Sequence, residues 1–157
     1  MQTLNITSEA FEENGVIPVK YTCDGVNISP PLEIGDLPAG AQSMVLIMDD
    51  PDIPDFVKQS MGIEVFDHWV IFNIPSTVRK IEEGIAPEGI SGVNSKGQLK
   101  YTGPCPPDRE HRYFFKIHAL NLKLNLSQGA SKKEVEKAIE GHIIASGELV
   151  GRYSRIR

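Results

Sequence analysis

A chain of 157 residues, 40% hydrophobic and 24% charged, fits a single domain over 1–157 with one core. Its formal net charge of -5 excludes a general nucleic-acid binder, whose phosphate affinity needs clustered Lys and Arg. No apolar run is long enough to cross a membrane, so no integral membrane insertion is expected.

The opening MQTLNITSEAFEENG lacks a basic stretch followed by an apolar one, so it reads as no export signal and a cytoplasmic location follows by default. Cys23 and Cys105 could form one disulfide, but without such a signal two cysteines are more often reduced thiols, and that is the expectation. Proline and glycine cut the chain into short pieces that read mostly as strands. Residues 16–21 give a short strand signal weakened by Pro18. Residues 43–48, SMVLIM, form a continuous apolar run, the pattern of a strand buried on both faces. Residues 68–74 and 113–120 are rich in aromatic and β-branched side chains and are expected as central strands. A short helix is expected within the irregular stretch 51–67, around 55–61.

Late in the chain, Ser131 and Glu134 form a capping-box signature. Val135, Ala138, Ile139, His142 and Ile143 follow at helical spacing, which predicts one amphipathic helix. Residues 148–153 then read as a last strand. The tail arginines Arg152, Arg155 and Arg157 read as an anchored, solvated end. Many strands with one or two peripheral helices predict a mainly β fold, a sandwich with helices at one end.

Polar clusters stand at the ends of the most apolar strands. Asp49, Asp50 and Asp52 leave the run 43–48; Asp67 and His68 enter the second strand; His111, Arg112 and Tyr113 enter the third. They meet at one sheet edge if the first strand runs antiparallel to the other two. The stiff loop GPCPP at 103–107 would then hold His111 and Tyr113 toward a pocket at little ordering cost. Two histidines there could donate to phosphate or carboxylate oxygens, and a surplus aspartate could take an amine on the same ligand. His118 and His142 lie in apolar patterns and read as packing or surface residues. Asp50, Asp52, His68 and His111 are also residue types that could hold zinc or act on a phosphate ester, but no His-Glu-x-x-His spacing or nucleophile elbow accompanies them. Cys105 beside His111 could resemble a Cys–His nucleophile pair, although flanking prolines favour a rigid corner.

The blocks DGVNISPPL at 24–32, DPD at 50–52, HWVIFN at 68–73 and GPCPP with HRY at 111–113 resemble the signatures of the phosphatidylethanolamine-binding protein family, in the order of its bacterial and archaeal Raf-kinase-inhibitor-like branch. The resemblance implies a β-sandwich of two antiparallel sheets in Greek-key style. It also implies a pocket for phosphate-bearing head groups or other small anions, comprising Asp50, Asp52, His68, Gly103, Pro104, His111 and Tyr113, with Pro54 on the rim. Eukaryotic members carry a tryptophan two positions before the pocket histidine; here that position is Phe66. The short C-terminus resembles the prokaryotic branch and leaves the pocket open or covered by a second subunit, hence a possible homodimer. The function implied is non-enzymatic binding of a small phosphate or carboxylate ligand, with a regulatory role and no cofactor or metal. Inhibition of a serine protease or kinase through a protein surface is the alternative, and phosphate-ester hydrolysis a more distant one.

Overall fold

The computed structural model describes residues 2–155. In chain order these residues form β1 (Gln2–Thr3), β2 (Ile6–Thr7), β3 (Gly15–Val16), β4 (Leu32–Ile34), β5 (Ser43–Asp50), α1 (Asp55–Met61), β6 (Phe66–Pro75), β7 (Lys80–Ile81), β8 (Ile90–Ser91), β9 (His111–Leu120), α2 (Lys132–Ile139) and β10 (Ile143–Tyr153). A turn of 3-10 helix at Val19–Tyr21 replaces the second half of the strand expected over 16–21. Pro18, which has no N–H to donate to a ladder, ends the pairing there.

The larger sheet has the order β1-β10-β9-β5-β6-β8, with β3 also on β10; the smaller has the order β2-β4-β7. The run β9-β5-β6-β8 is the Greek-key order, and each of its pairings is antiparallel. The two-residue strands β1 and β3 instead pair parallel to β10, so the sheet is mixed at that edge. β5 therefore runs antiparallel to both β6 and β9, the condition that brings their polar ends together.

All eight residues of β5 are buried, because both of its faces are covered. Met44, Leu46 and Met48 pack with Trp69, Ile71, Phe115 and Ile117 in the sandwich interior. Val45 and Ile47 pack with Val70, Phe72, Val135 and Ile139 beneath α2. Each such fully buried aliphatic side chain contributes about 1.5–3 kcal/mol. The capping box of α2 forms as its sequence predicts: Ser131 Oγ accepts from the Glu134 N–H, and Glu134 Oε1 accepts from the Ser131 N–H. The helix ends at Ile139, and Ile143 already belongs to β10. α1 forms over the residues expected of it and stops at Gly62, whose φ of 68° suits a left-handed cap.

Arg155 pairs with Asp24 at 2.9 Å and Arg152 with Glu110 at 3.0 Å, so these two tail arginines are anchored; Arg157 lies outside the described residues. The cysteine expectation is overturned. Cys23 and Cys105 are joined in a disulfide, their Cα atoms 5.4 Å apart across a sequence separation of 82. Two loops lie side by side here: the Cys23 N–H donates to the Pro104 carbonyl at 3.1 Å, and Tyr101 Oη donates to the Tyr21 carbonyl at 2.7 Å. That proximity is created by the sandwich and carries no local signal. Closing so long a loop restricts the unfolded chain, so replacing both cysteines by serine is expected to lower the unfolding free energy by about 2–5 kcal/mol. Urea denaturation of the double variant checks this, and an unchanged midpoint would contradict it.

Candidate ligand-binding site

The polar ends of β5, β6 and β9 meet at one end of the sandwich and border a cleft of about 290 Å³. This is near the lower end of the roughly 300–1,000 Å³ typical of small-molecule sites. Of the residues expected at the site, Asp50, His68, Gly103, His111 and Tyr113 line this cleft. Asp52, Pro54 and Pro104 do not. Asp52 faces Arg112, accepting from its Nε and Nη2 and its backbone N–H, each at 2.9 Å. Those hydrogen bonds hold the Asp52 carboxyl below its usual range. Pro54 is the N-cap of α1, and Pro104 accepts from Cys23 through its carbonyl.

Strand alternation and one bulge decide which acids reach the cleft. Met48 pairs with Trp69 and Asp49 with Asp67, so His68 is the extra residue of a β-bulge. The bulge turns His68 to the same side as Trp69 and Asp50. Asp49 and Asp67 point the other way, toward α2, where Lys132 Nζ lies 3.1 Å from each. Lys116 adds a second contact to Asp49 at 3.1 Å. Two of the strand-end acids therefore serve a buried charge network on the opposite face.

The two pocket histidines carry opposite chemistry. His68 Nδ1 lies 2.7 Å from the Thr102 carbonyl, which can only accept, so Nδ1 carries the hydrogen and Nε2 is an acceptor. Burial drives its pKa down to about 4, against the opposing pull of Thr102, Asp50 and Asp49. His111, with no exposed surface, lies 2.7 Å from Asp50 Oδ2 through Nδ1 and 2.7 Å from Asp108 Oδ1 through Nε2. Burial pulls its pKa down, but the hydrogen bonds and charges of Asp50 and Asp108 outweigh it and raise the pKa. Asp108 is lowered in turn: burial pushes it up, and its His111 bond prevails. His111 is thus an imidazolium held between two carboxylates. The two rings thus present different groups: His68 offers a lone pair at Nε2, and both His111 donors are engaged by carboxylates.

Tyr113 spaces the rings. It stacks on His111 at 6.4 Å between centroids and meets His68 edge-on at 5.3 Å. Phe66, the residue at the eukaryotic tryptophan position, packs on the other side of His68 at 4.7 Å and also lines the cleft. Gly103 is required for close approach: a Cβ there would lie 2.2 Å from the Tyr21 carbonyl oxygen and 2.3 Å from Asn27 Oδ1, which accepts from the Gly103 N–H.

Lys96 and Asp108 escape the sequence reading. Lys96 belongs to a loop braced by buried Asn94, whose Oδ1 accepts from the backbone N–H of Lys96 and Gln98. That Asx turn was the only local hint that 94–98 is ordered. Among the described residues no three His, Cys, Asp or Glu side chains are grouped to hold a metal ion. Cys105 cannot act as a thiolate nucleophile while it is bonded to Cys23.

Comparison with known proteins follows the same lines. The profile of the family described as Phosphatidylethanolamine-binding protein matches residues 7–154. A UPF0098 protein of Methanothermobacter thermautotrophicus is 46% identical over 158 residues, covering 97% of this chain and 99% of its own. A UPF0098 protein of Chlamydia trachomatis is 41% identical over 152 residues, with the same coverage. Among solved structures, the putative family homolog CT736 of Chlamydia trachomatis superposes with a TM-score of 0.93 at 40% identity, covering 99% of this chain and all of its own. YbcL of E. coli gives a TM-score of 0.86 at 27% identity, covering 98% and 99%.

The histidine environments set a pH signature. His68 has a folded pKa of about 4 against 6.5 unfolded, so between those values the unfolded chain binds a proton that the fold refuses. Its contribution falls as pH drops from 6.5 toward 4, by up to about 3 kcal/mol. His111 acts in the opposite sense: its stabilisation is complete below 6.5 and is lost as pH rises through its raised folded pKa. Substituting His68→Asn, whose amide can donate in place of Nδ1, should flatten the acid limb of stability against pH. Denaturation between pH 4 and 7 tests this, and an unchanged slope would contradict it.

Proposed function

Given that the chain belongs to the phosphatidylethanolamine-binding protein family, we propose that it is a non-enzymatic binding protein whose pocket takes a small ligand bearing a phosphate or carboxylate. The observation that carries this reading is the arrangement of complementary groups around one cleft: cationic His111 at its inner end, the neutral acceptor Nε2 of His68 beside it, and Lys96 on its lining. An anion has two positive groups to meet. A ligand hydroxyl, ammonium or protonated phosphate oxygen has a lone pair to donate to. Ile53, Val57, Phe66 and Pro106 supply apolar wall for a short carbon chain. Phosphorylethanolamine satisfies all three features.

The pocket is assembled from one chain, so this reading needs neither a second subunit nor a protein target. Hydrolysis is disfavoured because the cleft presents a hydrogen-bonded imidazolium and a neutral histidine without an activated nucleophile between them. No helix among the described residues is long and apolar enough to cross a membrane. The disulfide argues against the default cytoplasmic location, since such bonds persist mainly in oxidising compartments, with proteins of extreme thermophiles as the exception.

Calorimetric titration with phosphorylethanolamine tests the reading. Saturable binding by the wild type is expected, and Lys96→Ala should weaken it by about tenfold, the scale of one hydrogen bond to a charged group. Lys96 is exposed, so its loss should leave the fold intact. Absence of binding at millimolar ligand would refute the proposal.

A further inference from the structure

Asp108 sits on the exposed rim of the proline-rich loop, its side chain 31% exposed, yet it reaches inward to a histidine with no exposed surface. Its Oδ1 lies 2.7 Å from His111 Nε2, while Asp50 holds Nδ1 at the same distance. Asp50 is itself fixed by its own turn, since its Oδ1 accepts from the Asp52 N–H at 2.7 Å. The ring is therefore oriented from behind, and Asp108 is not needed to aim it. What Asp108 occupies is the one His111 donor that Asp50 does not take.

We infer that the Asp108 carboxylate is a resident surrogate for the ligand's anion, that ligands bind by displacing it from His111 Nε2, and that the pocket thereby selects phosphate groups over carboxylates. The inference rests on the binding function proposed above and narrows it. Asp108 is tethered three residues from His111, which places its carboxylate at an effective concentration of at least the millimolar order. A free monocarboxylate exchanges like for like and must overcome that local concentration with nothing extra to offer. A phosphate offers more acceptor oxygens and, as a monoester, a second negative charge. It can span from His111 toward Lys96, which lines the same cleft and whose charge acts on His68. Asp50, His111 and Asp108 together carry a net charge of about minus one, a barrier that falls when Asp108 swings outward.

The test compares wild type with Asp108→Asn and Asp108→Ala, titrated with inorganic phosphate, acetate, phosphorylethanolamine and glycerophosphorylethanolamine. Both variants are expected to bind phosphate at least about tenfold more tightly, and acetate, weak against wild type, should gain at least as much. The His111 ring pKa should fall in both variants while their melting temperatures stay close to wild type. A gain shared by both ethanolamine compounds supports displacement for either source, and the one that binds wild type more tightly assigns the group to a free ester or to a lipid head group. Phosphate affinity unchanged or weakened in both variants would overturn the inference, as would acetate binding wild type as tightly as phosphate. Equal phosphate binding by all three proteins removes displacement alone, whereas no binding by any of them removes the pocket's function as well.

Discussion

A cation cannot be left unpaired inside a β-sandwich, and the contact of His111 with Asp50 at 2.7 Å is the one around which the pocket is built. Both side chains are almost wholly buried, so neither could persist without the other. Their meeting requires that the end of β5 face the start of β9, which only the antiparallel pairing of these strands provides. Once that pair is in place, Tyr113 stacks on His111 and His68 packs against Tyr113. The pocket is the consequence of a buried ion pair placed at a sheet end.

The same sheet end carries a second charge system that the period of the strands keeps apart. Asp49 and Asp50 are neighbours in sequence, yet one faces the lysines under α2 and the other faces His111. A one-residue slip would exchange these roles and bury each charge against the wrong partners. Two ionic networks on opposite faces thus fix the register of β5 beyond what its apolar residues alone would do. The bulge at His68 delivers to the cleft a side chain that regular pleating would have turned toward α2.

Much of this was legible in residue patterns because the governing signals are local. The unbroken apolar run before Asp49 announced a strand covered on both sides, and Ser131 with Glu134 announced a helix start. The convergence of Asp50, His68 and His111 could be posed as a geometric condition and then checked. Where sequence reading failed, the determining contact spans loops. Cys23 and Cys105 come together only because the 21–27 and 101–105 segments run side by side, and compartment arguments then pointed to thiols that the fold has joined. Asp52 looked like pocket chemistry by its neighbours and is spent on Arg112. Lys96 and Asp108, which shape the charge at the cleft, lie in irregular segments with no periodicity to read. Protonation was the least legible property of all, since burial drives His68 down despite its bond to the Thr102 carbonyl, whereas two carboxylates raise His111 against the same desolvation.

The most direct measurement is nitrogen-15 NMR of the four histidine rings during a titration with phosphorylethanolamine at neutral pH. Saturable shifts confined to His68 and His111 are expected, with the Nδ1–H tautomer of His68 retained and His111 still protonated. His118, bonded to Ser146, and His142, bonded to Asn121, stand away from the cleft and serve as internal controls. Shifts absent from His68 and His111, or spread evenly over all four rings, would contradict the assignment of this sheet end as the binding site.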